Sequence, residues 1–290
     1  MIGFDIPYIK MRVSMVSETP APLQKWASST IRGAFGNRML AAFCTTGSYK
    51  CQYCTERCNA GVLYGTAQPD RSEESINPYI INCDSNAYDG RTLVYDFTLF
   101  SEGVDTVDDV LAVLNSGLEL GPDRTVFRLS EITDAENGDV IFDGTNYFKP
   151  EIRHMKFEEQ PAKKICIEFI TPYKTKLSMN GFGFEQLVRA SLRRVSTAIR
   201  NAGGCPDFDY SSLVSKSAEI TTKYRALKEE HMTRYSNRSK SKMELSGFVG
   251  IMICEGDLSG FIPLLRAVET IHVGKLCVMG LGKIKVYILE

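Results

Sequence analysis

The fold is decided by residues 271–290, which read IHVGKLCVMGLGKIKVYILE. The apolar residues that lead into this stretch recur at the spacing of one helical face. They are Leu264, Leu265, Val268 and Ile271. After the glycines at 274, 280 and 282, apolar and polar residues alternate from Ile284 to Ile288, which is the period of a half-buried strand. The stretch therefore predicts a helix, a glycine-rich turn and a closing strand.

The same order of elements can be followed outward through the whole chain. The apolar patterns of the first half predict a strand, a helix, two strands, a helix and a strand, at 9–15, 31–43, 79–81, 93–99, 107–114 and 125–132. Those of the second half predict a strand, a helix, one or two strands, a helix and a strand, at 165–169, 184–199, 243–255, 264–271 and 284–288. Residues 213–233 add a further predicted helix. Each half thus matches the β-α-β-β-α-β order of a ferredoxin-like unit.

The predicted fold class is α+β, with tandem ferredoxin-like (RRM-like) domains and a small zinc-binding cysteine insertion. Residues 1–133 form the predicted N-terminal domain and residues 162–290 the C-terminal domain. Residues 134–161 are rich in turn formers, so this segment is predicted to be a linker with a short hairpin.

Composition limits the classes of function. The chain has 290 residues, 43% hydrophobic content and a net charge of −1. A hydrophobic core is therefore expected, and nucleic-acid binding would have to come from local clusters of Lys and Arg. No apolar run approaches the length needed to cross a bilayer, and the N-terminus lacks the pattern of a secretory signal. We expect a soluble, cytoplasmic protein that does not bind a membrane.

Four of the nine cysteines fall in one short stretch. Cys44, Cys51, Cys54 and Cys58 follow a C-x6-C-x2-C-x3-C spacing, which is typical of a tetrahedral site with four thiolate ligands. Such a site leaves no coordination position open, so a structural zinc ion is the first interpretation. An iron–sulfur cluster and four reduced thiols on a surface loop are the alternatives.

Four ordered segments resemble the CRISPR-associated repeat-processing endoribonucleases, the sixth Cas family of the repeat-associated mysterious protein superfamily. They are residues 32–36 (RGAFG) on the first helix, the glycine turn at 117–124, residues 234–250 and the glycine-rich stretch at 271–283. The resemblance implies two ferredoxin-like domains that bind CRISPR repeat RNA, and metal-independent cleavage that releases guide RNAs. No catalytic cofactor and no direct contact with DNA are then expected. Other subunits of a CRISPR effector complex are further candidate partners.

The glycine-rich stretch is a candidate RNA-binding loop in that context. Glycine lets a backbone approach another chain closely and expose its N–H groups to phosphates. The candidate contacts are Gly274, Lys275, Gly280, Gly282 and Lys283. The alternative is a tight turn between helix and strand with two solvated lysines.

A basic run without any acidic residue extends between Glu230 and Glu244. Basic side chains interleaved with an aromatic ring favour phosphate contact and base stacking. The candidate RNA-binding residues here are Arg234, Ser236, Arg238, Lys240 and Lys242. Arg32 and Arg38 of the first helix are predicted to contact phosphate near the scissile bond.

The candidate catalytic residues are His231, Tyr235, His272 and Asn37. Cleavage of RNA without a metal ion needs a base, an acid and a cation, and imidazole suits the first two roles. Many members of the family carry a His where this chain has Asn37, which can donate a hydrogen bond but cannot exchange a proton. His231 precedes the basic run, with Tyr235 or Lys242 as candidate partners, whereas His272 could equally brace the glycine-rich loop. Asn37 keeps a second interpretation open, a non-catalytic RNA-binding subunit.

Overall fold

The computed structural model describes residues 4–24, 26–47, 54, 57–64, 76–83, 88–236 and 241–290, with the backbone alone at 234–236 and 241–243. The chain divides into two units. The N-terminal unit comprises residues 6–154 and 201–203, and the C-terminal unit comprises residues 1–5, 155–200 and 204–290. No helix within these described ranges is long and apolar enough to cross a membrane.

The strands of the N-terminal unit are β1 (Ile6–Ser17), β2 (Tyr79–Asn82), β3 (Thr92–Phe100), β4 (Leu118–Leu120), β5 (Thr125–Asp134), β6 (Val140–Phe142) and β7 (Arg153–Met155). Its helices are α1 (Ser28–Phe43), α2 (Asn59–Tyr64) and α3 (Val107–Asn115). The strands of the C-terminal unit are β8 (Lys164–Tyr173), β9 (Thr221–Glu230), β10 (Thr233–Ser236), β11 (Ser241–Glu244), β12 (Gly247–Glu255) and β13 (Ile284–Ile288). The helices that follow β8 are α4 (Phe184–Asn201), α5 (Tyr210–Ala218) and α6 (Ile262–Ile271).

The N-terminal sheet has the strand order β2-β3-β1-β5-β4, with β6 paired to β5 and β7 paired to β1. Its central strand β1 runs antiparallel to β3 and to β5. The predicted alternation is confirmed, because Ile9, Met11, Val13 and Met15 are all buried. The first, third and last strands of the ferredoxin-like order therefore lie side by side at the centre, as in that fold. Strands β6 and β7 fall inside the segment 134–161.

The C-terminal sheet has the strand order β13-β8-β12-β9 and is antiparallel throughout. The prediction that the chain closes with a strand after the glycines is confirmed, since Ile284–Ile288 pairs with β8. Ile284 and Val286 are buried, whereas Lys285 and Tyr287 are exposed. The α+β class with two antiparallel sheets follows from these two arrangements.

The predicted helix at 213–233 is wrong for most of its length. Helix α5 ends at Ala218, and residues 221–230 form strand β9 at the edge of the sheet. Nearly every side chain of β9 is exposed or half-buried, so the strand lacks the apolar alternation that would identify it. It is a strand because its backbone pairs with β12, and this pairing outweighs local helix propensity.

Candidate nucleic-acid interface

The glycine-rich loop, defined here as residues 272–283, connects α6 to β13 and contains unusual backbone conformations. Its three glycines and the non-glycine residues His272 and Leu276 all have positive φ. Values of φ 55° and ψ 171° at His272 are rare for a residue with a side chain. The loop is therefore held in one conformation by the contacts around it.

Gly280 and Gly282 allow the backbone of the loop to pack closely against its neighbours. The amide of Gly282 donates to the Pro172 carbonyl at 3.0 Å, and the amide of Gly280 donates to the Cys277 carbonyl at 2.8 Å. A Cβ atom at Gly282 would lie 1.8 Å from the carbonyl oxygen of Val273. The prediction that these two glycines offer their N–H groups to phosphates is therefore wrong, because both N–H groups are used inside the protein and both residues are buried.

The side of the loop that faces solvent carries Lys275, which is exposed, with Gly274 and Lys283 half-buried. The amide of Lys283 donates to the Thr171 hydroxyl at 2.9 Å, and the same hydroxyl donates to the Gly280 carbonyl at 2.8 Å. The loop can thus present cationic side chains on a rigid backbone. Phosphate contact by Lys275 and Lys283 is compatible with this arrangement.

His272 lies inside the loop, with 4% of its surface exposed. Its Nδ1 atom is 3.1 Å from the carbonyl oxygen of Leu281. The preceding residue, Ile271, accepts two hydrogen bonds from the guanidinium of Arg194, at 3.1 and 2.9 Å. These contacts place His272 as a brace of the loop, and its burial argues against the predicted role in direct contact with substrate.

The basic run forms a two-stranded hairpin, β10–β11. Its register pairs Tyr235 with Lys242, Arg234 with Met243 and Ser236 with Ser241. Directly opposed positions of an antiparallel pair share one face, so Tyr235 and Lys242 occupy the same face. Two further predicted RNA-binding residues, Arg238 and Lys240, lie outside the described residues.

The base of the hairpin is closed by contacts between its two ends. The amide of Leu245 donates to the Met232 carbonyl at 2.8 Å, and the Ser246 hydroxyl accepts from the Met232 amide at 3.1 Å. His231 precedes this closure and is largely exposed, with Nε2 3.3 Å from Oε2 of Glu229. Its imidazole is therefore accessible to a bound molecule.

The segment 32–36 of α1 packs against a cluster of aromatic rings in the N-terminal unit. The guanidinium carbon of Arg32 lies 5.2 Å from the centre of the Tyr64 ring, and the Tyr64 hydroxyl donates to the Arg32 carbonyl at 3.1 Å. Gly36, one turn later, lies against the same ring, because a Cβ atom there would be 2.6 Å from it. Burial raises the pKa of both Tyr64 and Tyr79, so the phenols beside Arg32 are neutral. Arg32 is thus half-buried, with its guanidinium over the Tyr64 ring.

Asn37 and Arg38 are both exposed on α1. Arg38 lies 3.3 Å from Oε1 of Glu119, whose Oε2 also binds Arg124 at 2.6 Å. A carboxylate shared between two guanidinium groups leaves excess positive charge at this point of the surface. Arg38 could therefore exchange an exposed ion pair, which contributes little stability, for a phosphate.

Three of the four clustered cysteines are described. Cys44 and Cys54 each lie near the Thr46 hydroxyl, at 3.7 and 3.9 Å, and the Cys58 thiol accepts a hydrogen bond from the Gly61 amide at 3.3 Å. Within the described part of the chain, no three His, Cys, Asp or Glu residues are grouped to hold a metal ion. The fourth predicted ligand, Cys51, lies outside that part.

The sequence interpretation missed the residues that hold the loop. Arg194 lies three and seven residues after Ser191 and Leu187, on the buried face of α4. That spacing was the available signal. Thr171 and Lys174, near the end of β8, carried no signal, since a hydroxyl or ammonium group that binds a distant backbone atom leaves no local pattern.

The family model described as CRISPR-associated endoribonuclease Cas6 matches residues 167–284, and a model described as an N-terminal domain matches residues 6–155. No curated protein matches the chain by sequence. Residues 6–155 contain the whole N-terminal sheet, and residues 167–284 contain most of β8, strands β9 to β12 and the first residue of β13.

Several solved structures share the fold over nearly the whole chain. A Cas6 product complex aligns with a TM-score of 0.64 at 14% identity, covering 97% of this chain and 100% of the other. Cas6 from Thermus thermophilus aligns with a TM-score of 0.58 at 15% identity, covering 98% and 99%. A chain of a Cas6-RT-Cas1–Cas2 complex aligns with a TM-score of 0.53 at 10% identity, covering 98% of this chain and 29% of that one. At these identities the alignments establish the fold.

Proposed function

The chain belongs to the Cas6 family of CRISPR-associated endoribonucleases, and on this premise we propose that it binds the repeat segment of a precursor CRISPR RNA and cleaves it without a metal ion. The observation that carries the proposal is the extent of the family match. Residues 167–284 include the basic hairpin and the glycine-rich loop, the two elements that carry most of the candidate RNA contacts.

The proposed reaction needs only the RNA and the side chains of the protein. The 2′-hydroxyl oxygen attacks the adjacent phosphorus while a base accepts its proton, and the bond from phosphorus to the 5′ oxygen breaks while an acid donates a proton to that oxygen. The products are a 2′,3′-cyclic phosphate and a 5′-hydroxyl. A cation must stabilise the negative charge that develops on the phosphorane.

We assign these roles to the basic hairpin and its base. His231 is the proposed proton-transfer residue, because it is exposed and imidazole both accepts and donates protons near neutral pH. Tyr235 and Lys242, paired in the hairpin register, are proposed to orient the RNA and to stabilise the phosphorane. Phosphates along the strand are proposed to contact Lys275 and Lys283 of the loop, and the other basic residues of the hairpin.

The test is incubation of the purified protein with 5′-labelled repeat RNA in excess EDTA. We expect one discrete cut that leaves a cyclic phosphate. A matched RNA with a single 2′-deoxynucleotide at the cleavage position should bind equally well and stay intact, because only the nucleophile is missing. Absence of both binding and cleavage of the unmodified repeat would contradict the proposal.

A second function, a non-catalytic RNA-binding subunit, is favoured by one observation. Asn37 is exposed on α1 at the position where many relatives carry a His, and an amide cannot transfer a proton. This alternative predicts tight binding of both RNAs without any cut. The pair of substrates therefore separates the two functions.

We also propose that Cys44, Cys51, Cys54 and Cys58 bind one structural zinc ion. Their spacing supports the proposal, as does the approach of Cys44 and Cys54 to the same hydroxyl group. Metal analysis of the purified protein should give about one zinc per chain, and Cys54→Ser should lower that value. Cys205→Ser, at an exposed cysteine far along the sequence, is the matched control.

A further inference from the structure

The end of β8 contacts two elements that are far apart in sequence. The carbonyl of Lys174, the residue after β8, accepts a hydrogen bond from the Lys275 amide of the glycine-rich loop at 2.9 Å. The Nζ atom of the same lysine donates to the Glu244 carbonyl, at the end of the basic hairpin, at 2.7 Å. Lys174 thus contacts the loop through its backbone carbonyl and the hairpin through its side-chain ammonium.

Glycines allow both elements to approach this point closely. A Cβ atom at Gly247, where the chain leaves the hairpin for β12, would lie 2.6 Å from the carbonyl oxygen of Tyr173. A Cβ atom at Gly274 would lie 3.2 Å from both the Lys174 carbonyl oxygen and the Tyr173 ring. The Tyr173 ring also packs against Phe248, with centroids 5.1 Å apart. The loop and the hairpin base are therefore seated against the same two residues.

The hairpin needs such anchoring. Its strands have four residues each, and an isolated two-stranded hairpin of this size is marginally stable in water. The closure between Met232 and residues 245–246 continues the pairing of β9 with β12, which ends at Glu230 and Gly247, so it holds the hairpin only along its own two strands. The ammonium of Lys174 comes from outside these two strands and ties Glu244 to the segment beside the loop.

We propose that Lys174 is a positioning residue that fixes the basic hairpin relative to the glycine-rich loop, so that the cations of both elements meet one RNA strand. The inference rests on the proposed RNA binding and adds a residue that acts through the hairpin. Its physical basis is preorganisation: a hairpin already held in its binding orientation loses less entropy when RNA binds.

The experiment compares Lys174→Met, which removes the ammonium and keeps the aliphatic chain, with Lys174→Arg, which retains a donor. Lys176→Met is the matched control, since this exposed lysine lies two residues away. The first measurement is the Kd for the uncleavable 2′-deoxy repeat RNA. The second is hydrogen exchange of the amides at 241–246 in the protein without RNA.

We expect Lys174→Met to raise the Kd by about fivefold to tenfold and to speed exchange at the hairpin base. Lys174→Arg and Lys176→Met should keep both near the wild-type values. In a Lys242→Ala background, Lys174→Met should cost much less affinity, because an effect exerted through the hairpin is not additive with loss of a hairpin cation.

Three outcomes overturn the inference. Wild-type affinity and exchange in Lys174→Met would show that the bridge has no effect. Weaker binding with unchanged exchange, and an effect additive with Lys242→Ala, would assign Lys174 to direct RNA contact. If the wild-type protein binds no repeat RNA, the proposed function fails, and unchanged exchange in Lys174→Met would still separately refute the anchoring.

Discussion

Alanine in place of either of two glycines on α1, which are three residues apart, is expected to change the stability of the protein in opposite directions. A Cβ atom at Gly33 would have no neighbour within 4 Å, whereas one at Gly36 would lie 2.6 Å from Cε1 and 2.7 Å from Cζ of Tyr64. Replacing glycine by alanine inside a helix stabilises it by about 1 kcal/mol. Gly33→Ala should therefore raise the free energy of unfolding by roughly that amount.

Gly36→Ala gains the same helix propensity but must displace the Tyr64 ring. The ring is held by its hydrogen bond to the Arg32 carbonyl, by the guanidinium above it and by Tyr79, whose ring centre is 5.4 Å away. Overpacking of this kind costs about 1–3 kcal/mol, and loss of the cation–π contact adds about 0.5–1 kcal/mol. The net expectation is a protein less stable than wild type by about 0.5–3 kcal/mol.

The assay is urea unfolding followed by circular dichroism, with Gly33→Ala as the matched control. The two variants should differ by roughly 1.5–4 kcal/mol. In a Tyr64→Ala background the clash is gone, so Gly36→Ala should become stabilising by about 1 kcal/mol. Equal stability of the two variants, or a destabilising Gly36→Ala without the ring, would refute the packing explanation of the segment 32–36.

Three further predictions concern the loop, an ion pair and the proposed chemistry. Gly282→Ala should destabilise the C-terminal unit by more than about 3 kcal/mol in urea unfolding, because its Cβ atom would overlap the Val273 carbonyl at positive φ. Burial favours a higher pKa for Asp134, but hydrogen bonds from Arg153 and two backbone amides outweigh it and lower that pKa. Asp134→Asn should therefore be destabilised by about 1–3 kcal/mol at neutral pH. The difference from wild type should shrink as the pH falls from about 4 towards the lowered native pKa, because the carboxylate is protonated first in the unfolded chain and only at lower pH in the native protein. His231→Ala should slow single-turnover cleavage by about 10²–10⁴-fold while the Kd for uncleavable RNA stays unchanged.

The elements that could be predicted from sequence are those with one buried face. In β1 and β13, every second residue is buried, and α6 buries one side, so burial imprints its period on the sequence. Strand β9 could not be predicted in this way because neither of its faces is well buried. A weaker signal for β9 was the glycine at position 250 in its partner strand β12. A Cβ atom on Gly250 would lie 2.0 Å from the carbonyl oxygen of Ala226 in β9, so the close approach of the two strands requires a glycine there.

The candidate site was predictable in location and less so in role. The sequence correctly indicated a glycine-rich loop between α6 and β13, but a missing Cβ suits two purposes, close packing and exposure of an amide. At Gly282 the missing Cβ allows close packing, because the amide and the carbonyl of this residue both form hydrogen bonds within the protein. His272 was ambiguous for a related reason, since burial of a polar side chain depends on partners that need not be close in sequence.

The internal bonding of the loop changes how this chain can bind a polyanion. Where the loop amides are already used, phosphates must be bound by side-chain cations, and the net charge of −1 confines these cations to local clusters. The densest cluster is the hairpin, with no acidic residue between Glu230 and Glu244. Binding through cations releases counterions, whereas binding through neutral amides does not, so the affinity for single-stranded repeat RNA should fall steeply with salt, with a slope of about 0.7 per phosphate neutralised. Removing Lys242 should then lower that slope by roughly one such unit, which a loop binding phosphate through its backbone would not predict.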